Sequence, residues 1–177
     1  MKEITVETRI RIFPASGLPD GYHALARSAV SAAKNAYAPY SGFHVGAAVL
    51  LENGEVVTGN NQENAAYPSG LCAERVALFY ATARYPDSAV RAIAVAAFSE
   101  GRQVTMVSPC GSCRQVLLEV ENRFKRPVSI ILCGAEQCYV ADSAASLLPL
   151  CFDVTALSSA HTQSPCGEEA PGSQDRP

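Results

Sequence analysis

The sequence predicts an α/β fold with three layers, αβα, in which helices cover both faces of a mixed β-sheet. Apolar runs that are typical of buried strands alternate along the chain with segments of helical periodicity. An Asn-Gly step between two of the apolar runs also predicts a β-hairpin. With 177 residues, the chain is long enough for one domain with a sizeable core.

The first half of the chain begins with an extended segment and a helix. Residues 1–17 alternate weakly between apolar and polar side chains, which indicates an edge strand or an extended arm. A helix is predicted over residues 20–37, with Asp20 as its N-cap, because small side chains recur at helical spacing. The predicted hairpin strands follow at residues 43–51 and 55–61.

The second half alternates between helices and buried strands. Helices are predicted over residues 72–84 and 110–123, and the nearly unbroken apolar run at 91–98 is typical of a central strand. The expected core side chains of the first of these helices are Val76, Ala77, Phe79 and Tyr80. The remaining elements are shorter: a strand at 128–133, a strand near Tyr139 and a helical turn at 144–148.

The chain divides into an arm, a domain and a tail. We expect the arm over residues 1–17 and the domain over residues 18–157. From residue 158 onward Ser, Gly, Pro, Gln and Glu dominate and periodicity vanishes, so we expect a disordered tail.

Composition excludes several classes of protein. The net charge of −3 argues against nucleic acid as the main partner, since such binders concentrate Lys and Arg on one face. No segment approaches the roughly 18 consecutive apolar residues of a membrane-spanning helix. The N-terminus lacks the apolar centre of a signal peptide, so we expect a cytoplasmic protein with no membrane partner.

Seven cysteines are an odd number for a disulfide framework. In a reducing compartment they are better explained as metal ligands together with buried thiols. Four of them lie in apolar strands, beside apolar residues or in the tail, and we expect these not to bind metal: Cys133, Cys138, Cys151 and Cys166.

The other three cysteines fit a metal site. Cys110 and Cys113 are three residues apart at a predicted helix start, where both side chains can reach one ion. Alone, this pair could be a redox motif or half of a structural zinc site. Cys72, at another helix start, supplies a third thiol. Three protein ligands leave one position for water, as in catalytic zinc sites. Glu74 can share this site only if Cys72 lies in the first turn or the cap of its helix.

The order of these residues resembles a known family. Residues 72–74 read Cys-Ala-Glu and residues 109–113 read Pro-Cys-Gly-Ser-Cys, which together form the signature of the zinc deaminases. Over residues 18–157 the chain resembles cytidine deaminase, in its small homotetrameric branch with three cysteine ligands. The segments that carry this resemblance are 40–48, 61–75, 108–115 and 147–149.

The resemblance implies hydrolytic deamination of cytidine and deoxycytidine to uridine and deoxyuridine, with release of ammonia, in pyrimidine salvage. It implies one Zn²⁺ per chain, held by Cys72, Cys110 and Cys113, which activates water for attack at C4. Glu74 would carry protons between this water, N3 and the departing ammonia. Three thiolates on Zn²⁺ sum to a charge of −1, which the Arg75 guanidinium would offset.

Substrate contacts follow from the same resemblance. Asn61 and Glu63 are two residues apart at a strand end, and an amide with a carboxylate suits a sugar hydroxyl. The family assigns this pair to the ribose 3′-hydroxyl. Phe43 would stack on the pyrimidine. The Ala73 N–H would bind the base carbonyl, and the Ser108 carbonyl would bind the amino group.

The resemblance also implies a homotetramer. Tyr40 and Phe152 match positions that reach the site of a neighbouring subunit in this family. His44 directly follows Phe43 on a strand, so its side chain is expected to point away from the site.

Three other functions remain open from the sequence. The chain could deaminate another small substrate, such as the aminoacyl-nucleoside antibiotic blasticidin S. It could act on cytosines in polynucleotides, which the charge and the sugar-binding pair disfavour. It could also be a zinc-stabilised binding module without catalysis, although Glu74 argues against a purely structural site.

Overall fold

Three helices and seven strands make up the part of the chain that the computed structural model describes, residues 1–19 and 21–154. In chain order they are β1 (Ile10–Pro14), α1 (Tyr22–Ala33), β2 (Phe43–Leu51), β3 (Val56–Asn60), α2 (Ala73–Arg84), β4 (Val90–Ser99), β5 (Arg102–Gln103), α3 (Gly111–Phe124), β6 (Ser129–Cys133) and β7 (Gln137–Ala141). Short 3₁₀ turns lie at Ala15–Gly17, Tyr67–Ser69 and Ala145–Leu147.

The strands form one mixed sheet in the order β1-β7-β6-β4-β2-β3, with β5 paired to β4 off this path. β4 and β6 are parallel, and the other pairs are antiparallel. The parallel pair is joined through α3, as a parallel connection requires a crossover. The predicted mixed sheet is therefore confirmed.

Side chains alternate between the two faces of the sheet, and each face is covered by helix. Ala48, Ala94 and Ile131 pack with α1 on one face. Ile93 in β4 and Ile130 in β6, the neighbours of Ala94 and Ile131 in sequence, pack with α2 and α3 on the other face. The three-layer αβα arrangement is confirmed, and β4 is buried on both faces as the apolar run at 91–98 predicts.

Two glycines let helices lie unusually close to the sheet. A Cβ on Gly59 in β3 would stand 2.6 Å from the backbone nitrogen of Ala77 in α2. A Cβ on Gly46 in β2 would stand 2.1 Å from the carbonyl oxygen of Ala29 in α1. Both distances are shorter than real side chains allow, so these positions require glycine for packing.

The predicted extent of the first helix is wrong at its C-terminus. α1 ends at Ala33 rather than at Tyr37. Tyr37 instead donates its N–H to the carbonyl oxygen of Asn61 at 3.0 Å, and its own carbonyl accepts the N–H of Glu63 at 2.8 Å. This pairing with the strand-end segment draws the chain out of the helix. The N-cap predicted at Asp20 lies outside the described residues.

The core face of α2 also differs from the prediction. Ala77 is buried as expected, but Phe79 and Tyr80 are 48% and 60% exposed. Besides Ala77, the buried residues of α2 are Ala73, Glu74, Leu78 and Ala81, and the alanines suit the close approach of α2 to the sheet. The two aromatic rings therefore lie on the outer face of the helix.

The predicted arm and tail lie at the two ends of the chain, and the structure describes the first of them. Within the alternating segment 1–17, Ile10–Pro14 form the edge strand β1, which pairs antiparallel with β7, and residues 1–9 lie outside any strand. The predicted tail beyond residue 158 lies outside the described residues. None of the three helices in the described part has the length and apolar character needed to cross a membrane.

Substituting Gly59 tests the close packing of α2. We expect Gly59→Ala to lower the free energy of unfolding by about 1–3 kcal/mol, because its methyl group must displace helix backbone. Urea denaturation followed by circular dichroism measures this. Gly17→Ala is the matched control, since its Cβ would meet nothing closer than 3.5 Å. Equal stability of the two variants would contradict the packing argument.

Candidate metal centre and substrate cavity

The starts of α2 and α3 bring three thiols together. Cys72 is the N-cap of α2, with φ −71° and ψ 153°, and Cys110 is the N-cap of α3, with φ −67° and ψ 168°. Cys113 lies in the first turn of α3 and is buried. The geometric condition that the sequence set for Cys72, a place in the cap or the first turn, is confirmed.

The spacing of the thiols fits a tetrahedral zinc ion. The Sγ atoms of Cys72 and Cys110 are 3.8 Å apart, and those of Cys110 and Cys113 are 3.6 Å apart. All three lie within 4.8 Å of one another. Zn–S bonds of about 2.3 Å at tetrahedral angles give S···S separations of about 3.8 Å. The cluster supplies three ligands, so a fourth position is left for a small molecule.

The surroundings of the cluster favour the thiolate form of Cys72. The hydrogen bond with Cys113 lowers the pKa of Cys72 to about 5, the Arg75 guanidinium acts in the same direction, and burial opposes both. The same hydrogen bond, together with burial, raises the pKa of Cys113. Cys72 also lies at the positive end of the α2 dipole, which acts on its pKa in the same direction as Arg75.

Glu74 lies in the first turn of α2 and is only 4% exposed. Burial raises the pKa of its carboxyl group, and the negative charge on Cys72 adds to this effect. A hydrogen bond with Cys113 acts in the opposite direction. Burial and the raised pKa make this carboxyl group easier to protonate than an exposed glutamate, which suits a group that takes up and passes on a proton.

Arg75 directs its guanidinium at the cluster. Its Nη2 donates to the Sγ atom of Cys72 at 3.8 Å. Its Nε is buried and has no hydrogen-bond partner within residues 1–19 and 21–154. A positive charge held against a thiolate offsets part of the negative charge that three thiolates bring to one ion.

A cavity of about 440 Å³ opens beside the thiols. Its size is within the range of small-molecule sites. The cavity brings together polar groups from the 40–41 loop, the end of β3 and the start of α2, namely Tyr40, Asn61, Glu63, Tyr67, Cys72 and Arg75.

Asn61 has a structural task that the sequence did not reveal. Its Nδ2 donates to the carbonyl oxygen of Phe43 at 2.9 Å, and its Oδ1 accepts the N–H of Val45 at 2.7 Å. The side chain thus fixes the first residues of β2. An amide group has two donors and two lone pairs, so one donor and one acceptor site are not used by these bonds.

Glu63 holds the loop before β2. Its carboxylate accepts the N–H of Tyr40 at 2.8 Å and also the N–H and the hydroxyl of Ser41. The Ser41 hydroxyl, followed by the Tyr40 N–H, lowers the pKa of Glu63. Glu63 is therefore ionised at neutral pH and can only accept hydrogen bonds.

Phe43 and His44 occupy opposite faces of β2. Phe43 is half-buried and has the same parity along the strand as Ala47 and Val49, which face α2 and α3. The His44 ring lies on the other face, where its Nδ1 is 3.0 Å from the carbonyl oxygen of Gly42. His44 also contributes to the lowered pKa of Glu63, so the expectation that it points away from the site stays a prediction.

The residues predicted to bind the base lie at the two helix starts. Ala73 is the first residue of α2 and is fully buried, so its N–H is one of the helix donors without a partner inside the helix. Ser108 lies two residues before the N-cap of α3, and its hydroxyl accepts a hydrogen bond from Arg114 at 2.9 Å.

The two residues expected to reach a neighbouring subunit are exposed. Tyr40 is 53% exposed and forms an edge-to-face contact with Tyr67 at 6.2 Å between ring centroids. Phe152 is 60% exposed, and its carbonyl oxygen accepts from Gln115 in α3 at 2.8 Å.

The cysteines that the sequence sets aside lie away from the cluster. Cys133 and Cys138 are buried on the face of the sheet that packs with α1. Cys151 is exposed. Cys166 lies outside the described residues.

Sequence reasoning missed Arg114 and Glu121. Arg114 directly follows Cys113 and makes three hydrogen bonds, and Glu121 is a buried carboxylate that accepts several. Their partners are backbone groups and small hydroxyls, which leave no mark in a single sequence. The buried position of Glu121 on an otherwise apolar helix face is the one available signal.

Comparisons with known proteins agree with this geometry. The family model for the cytidine and deoxycytidylate deaminase zinc-binding region matches residues 20–129. A cytidine deaminase from Sporosarcina psychrophila is 42% identical over 132 residues, which cover 75% of this chain and 91% of the relative. One from Mycobacterium tuberculosis is 45% identical over 103 residues, or 58% of this chain and 74% of the relative.

A solved structure is similar over the same region. The cytidine deaminase from Burkholderia pseudomallei superimposes with a TM-score of 0.63 at 40% identity. The match covers 74% of this chain and 98% of that protein.

Serine substitutions test the metal centre. We expect the purified protein to contain one zinc per chain and Cys72→Ser, Cys110→Ser and Cys113→Ser each to lose most of it, because each removes one of three ligands. Elemental analysis measures the zinc-to-protein ratio. Cys151→Ser is the matched control, an exposed cysteine outside the cluster, and should keep its zinc. Full zinc content in all three cluster variants would contradict this site.

Proposed function

Because the chain belongs to the cytidine and deoxycytidylate deaminase family, we propose that it hydrolyses cytidine and deoxycytidine to uridine and deoxyuridine, releasing ammonia, as a step of pyrimidine salvage. The observation that carries the proposal is the buried Glu74 carboxyl group beside three clustered thiols. A structural zinc site closes with four protein ligands and needs no acid–base group.

The chemistry divides between the metal and Glu74. When bound, a zinc ion lowers the pKa of a water molecule so that the water is nucleophilic at neutral pH. Glu74 takes the proton of this water and delivers it to N3 of the pyrimidine. The same carboxyl group then helps to protonate the amino group that leaves C4 as ammonia. Its raised pKa suits both directions of transfer.

Arg75 adjusts the charge of the metal centre. Zn²⁺ with three thiolates has a net charge of −1, which weakens its action on water. The guanidinium beside Cys72 withdraws negative charge from that ligand. The positive ends of α2 and α3 act in the same direction, since both N-caps are ligands.

The cavity favours a nucleoside over a free base or a polynucleotide. The unused donor and acceptor of Asn61 and the ionised Glu63 suit a ribose 3′-hydroxyl, which both donates and accepts. A hydroxyl held there must be free, and in a polynucleotide it is esterified. Phe43, the first residue of β2, is the side chain proposed to stack on the pyrimidine.

Backbone groups at the helix starts recognise the base in this proposal. The Ala73 N–H binds the base carbonyl, and the Ser108 carbonyl binds the amino group. In the chain, Ala73 directly follows Cys72, and Ser108 lies two residues before Cys110. The base would therefore lie directly against the metal. A substrate with a bulky aminoacyl group, as in blasticidin S, has to fit the same cavity and is the alternative substrate to compare.

We also propose a cytoplasmic homotetramer. Thiol ligands remain reduced in the cytoplasm. The outer face of α2 exposes Phe79 and Tyr80, and the region of the cavity exposes Tyr40 and Tyr67, which supports contacts between subunits. Tyr40 and Phe152 are the residues proposed to reach a neighbouring site.

The catalytic assignment is tested with zinc-loaded variants. We expect Glu74→Gln to lower kcat by about 10²–10⁴-fold, since it cannot move a proton, and Arg75→Gln to lower kcat less. Both should keep zinc. Ammonia release and loss of cytidine absorbance measure turnover of cytidine, deoxycytidine, blasticidin S and a cytosine oligonucleotide.

The controls for this assay are Glu55→Gln, an exposed glutamate of the hairpin turn, and Arg84→Gln, in the last turn of α2. Neither should change turnover. A wild-type protein that holds zinc but turns over neither nucleoside would overturn the proposed function. Unchanged kcat in Arg75→Gln would remove Arg75 from the mechanism.

The tetramer is tested by light scattering of the purified zinc-loaded protein. We expect a particle of four times the chain mass, because the exposed aromatic side chains are otherwise left in water. A monomer mass across the concentrations used for catalysis would contradict the assembly and the shared site.

A further inference from the structure

α3 carries polar side chains that hold a later segment of the chain, residues 142–152, which we call the C-terminal strap. Glu121 is 8% exposed, and its Oε1 accepts the N–H groups of Ala144 and Val128, each at 2.7 Å. Its Oε2 accepts the Ser143 hydroxyl at 3.0 Å. A buried carboxylate with this many donors fixes the start of the strap to the last turn of α3.

Arg114, seven residues earlier on α3, fixes the strap near the metal centre. Its Nη1 donates to the carbonyl oxygen of Leu147 at 3.0 Å. Its Nε donates to the carbonyl oxygen of Pro109 at 2.8 Å, and its Nη2 donates to the Ser108 hydroxyl at 2.9 Å. One planar guanidinium thus joins the strap to the loop that leads into the Cys110 cap. The fork geometry of arginine allows three bonds in fixed directions at once.

The two bonds to the loop lie on either side of one backbone group. The first holds the side chain of Ser108 and the second holds the carbonyl of Pro109. Because both ends are fixed, the direction of the Ser108 carbonyl between them is fixed as well. In the proposed function the Ser108 carbonyl accepts a hydrogen bond from the amino group of the substrate. The direction of this carbonyl therefore decides how well the amino group is held.

We propose that Arg114 is a positioning residue that orients the Ser108 carbonyl toward the substrate amino group, with the C-terminal strap as its support. The proposal rests on the proposed deaminase function. Within the described residues the three side-chain hydrogen bonds of Arg114 go to the loop and the strap and not to a thiol, and Arg114 does not line the cavity, so it acts through the loop. Its loss should weaken recognition of the amino group and leave the zinc ligands in place.

The test compares two ligands that differ at C4. Cytidine has the amino group, whereas uridine, the product, has an oxygen there and does not need the Ser108 carbonyl. For zinc-loaded Arg114→Gln we expect the KM for cytidine to rise about ten-fold, the effect of one lost oriented hydrogen bond. The inhibition constant of uridine should stay within about two-fold of wild type, since the rest of the cavity is unchanged.

Two further variants separate positioning from folding. Arg114→Lys keeps the charge but cannot make three bonds in fixed directions, so we expect a smaller rise in the KM for cytidine. Ser108→Ala keeps the backbone carbonyl and removes one of its two anchors, and the same selective change is expected. Arg123→Gln is the matched control on α3, because Arg123 donates to the carbonyl of Pro86 at 3.0 Å, far along the helix.

The outcomes are distinct. A parallel rise of the cytidine KM and the uridine inhibition constant would show a general structural role and overturn the proposal, as would no change in either. If Arg114→Gln does not fold, Arg114→Lys and Ser108→Ala decide by the same comparison. Lack of cytidine turnover by the zinc-loaded wild type would instead overturn the proposed function, and the role of Arg114 with it.

Discussion

The side-by-side starts of α2 and α3 are the constraint on which the rest of the structure depends. Both N-caps are cysteines, and their Sγ atoms stand 3.8 Å apart, so the two helices cannot shift by much without separating the thiols. The position of α2 depends in turn on Gly59, which allows the backbone of α2 to lie directly on β3. The α2 dipole, the Arg75 guanidinium and the buried Glu74 all act at the point that this packing fixes.

Asn61 and Glu63 line the cavity and also hold backbone groups through their side chains. The Asn61 amide bonds to the carbonyl of Phe43 and to the N–H of Val45. The Glu63 carboxylate accepts the N–H groups of Tyr40 and Ser41. A group that already makes backbone bonds has lost most of its conformational freedom, so little entropy remains to be lost when a ligand binds. The site is therefore organised before the substrate arrives, and its polar groups are difficult to replace without moving a strand or a loop.

Local pattern predicted the individual strands, the helix starts and the cysteines at those starts, because each depends on residues close in sequence. The hairpin and the two cysteine caps are examples. The errors arise where distant residues decide. α1 stops at Ala33 because Tyr37 pairs with residues 61–63, and Phe79 and Tyr80 face outward because alanines lie against the sheet. Arg114 and Glu121 bond to backbone groups up to 33 residues away, and a carbonyl has no residue identity that a sequence pattern could reveal.

The parallel pairing of β4 and β6 also determines when the metal centre can form during folding. Cys72 and Cys110 are 38 residues apart, with the whole of β4 between them, and α3 is the crossover that makes the parallel pair. Such non-local pairing comes late, because the entropy of loop closure is lost before the contacts form. We therefore expect an ion to be held by all three thiols only after the starts of α2 and α3 have come together. If this contact forms after the transition state of folding, we expect the bound ion to slow unfolding and to lengthen the lifetime of the folded chain.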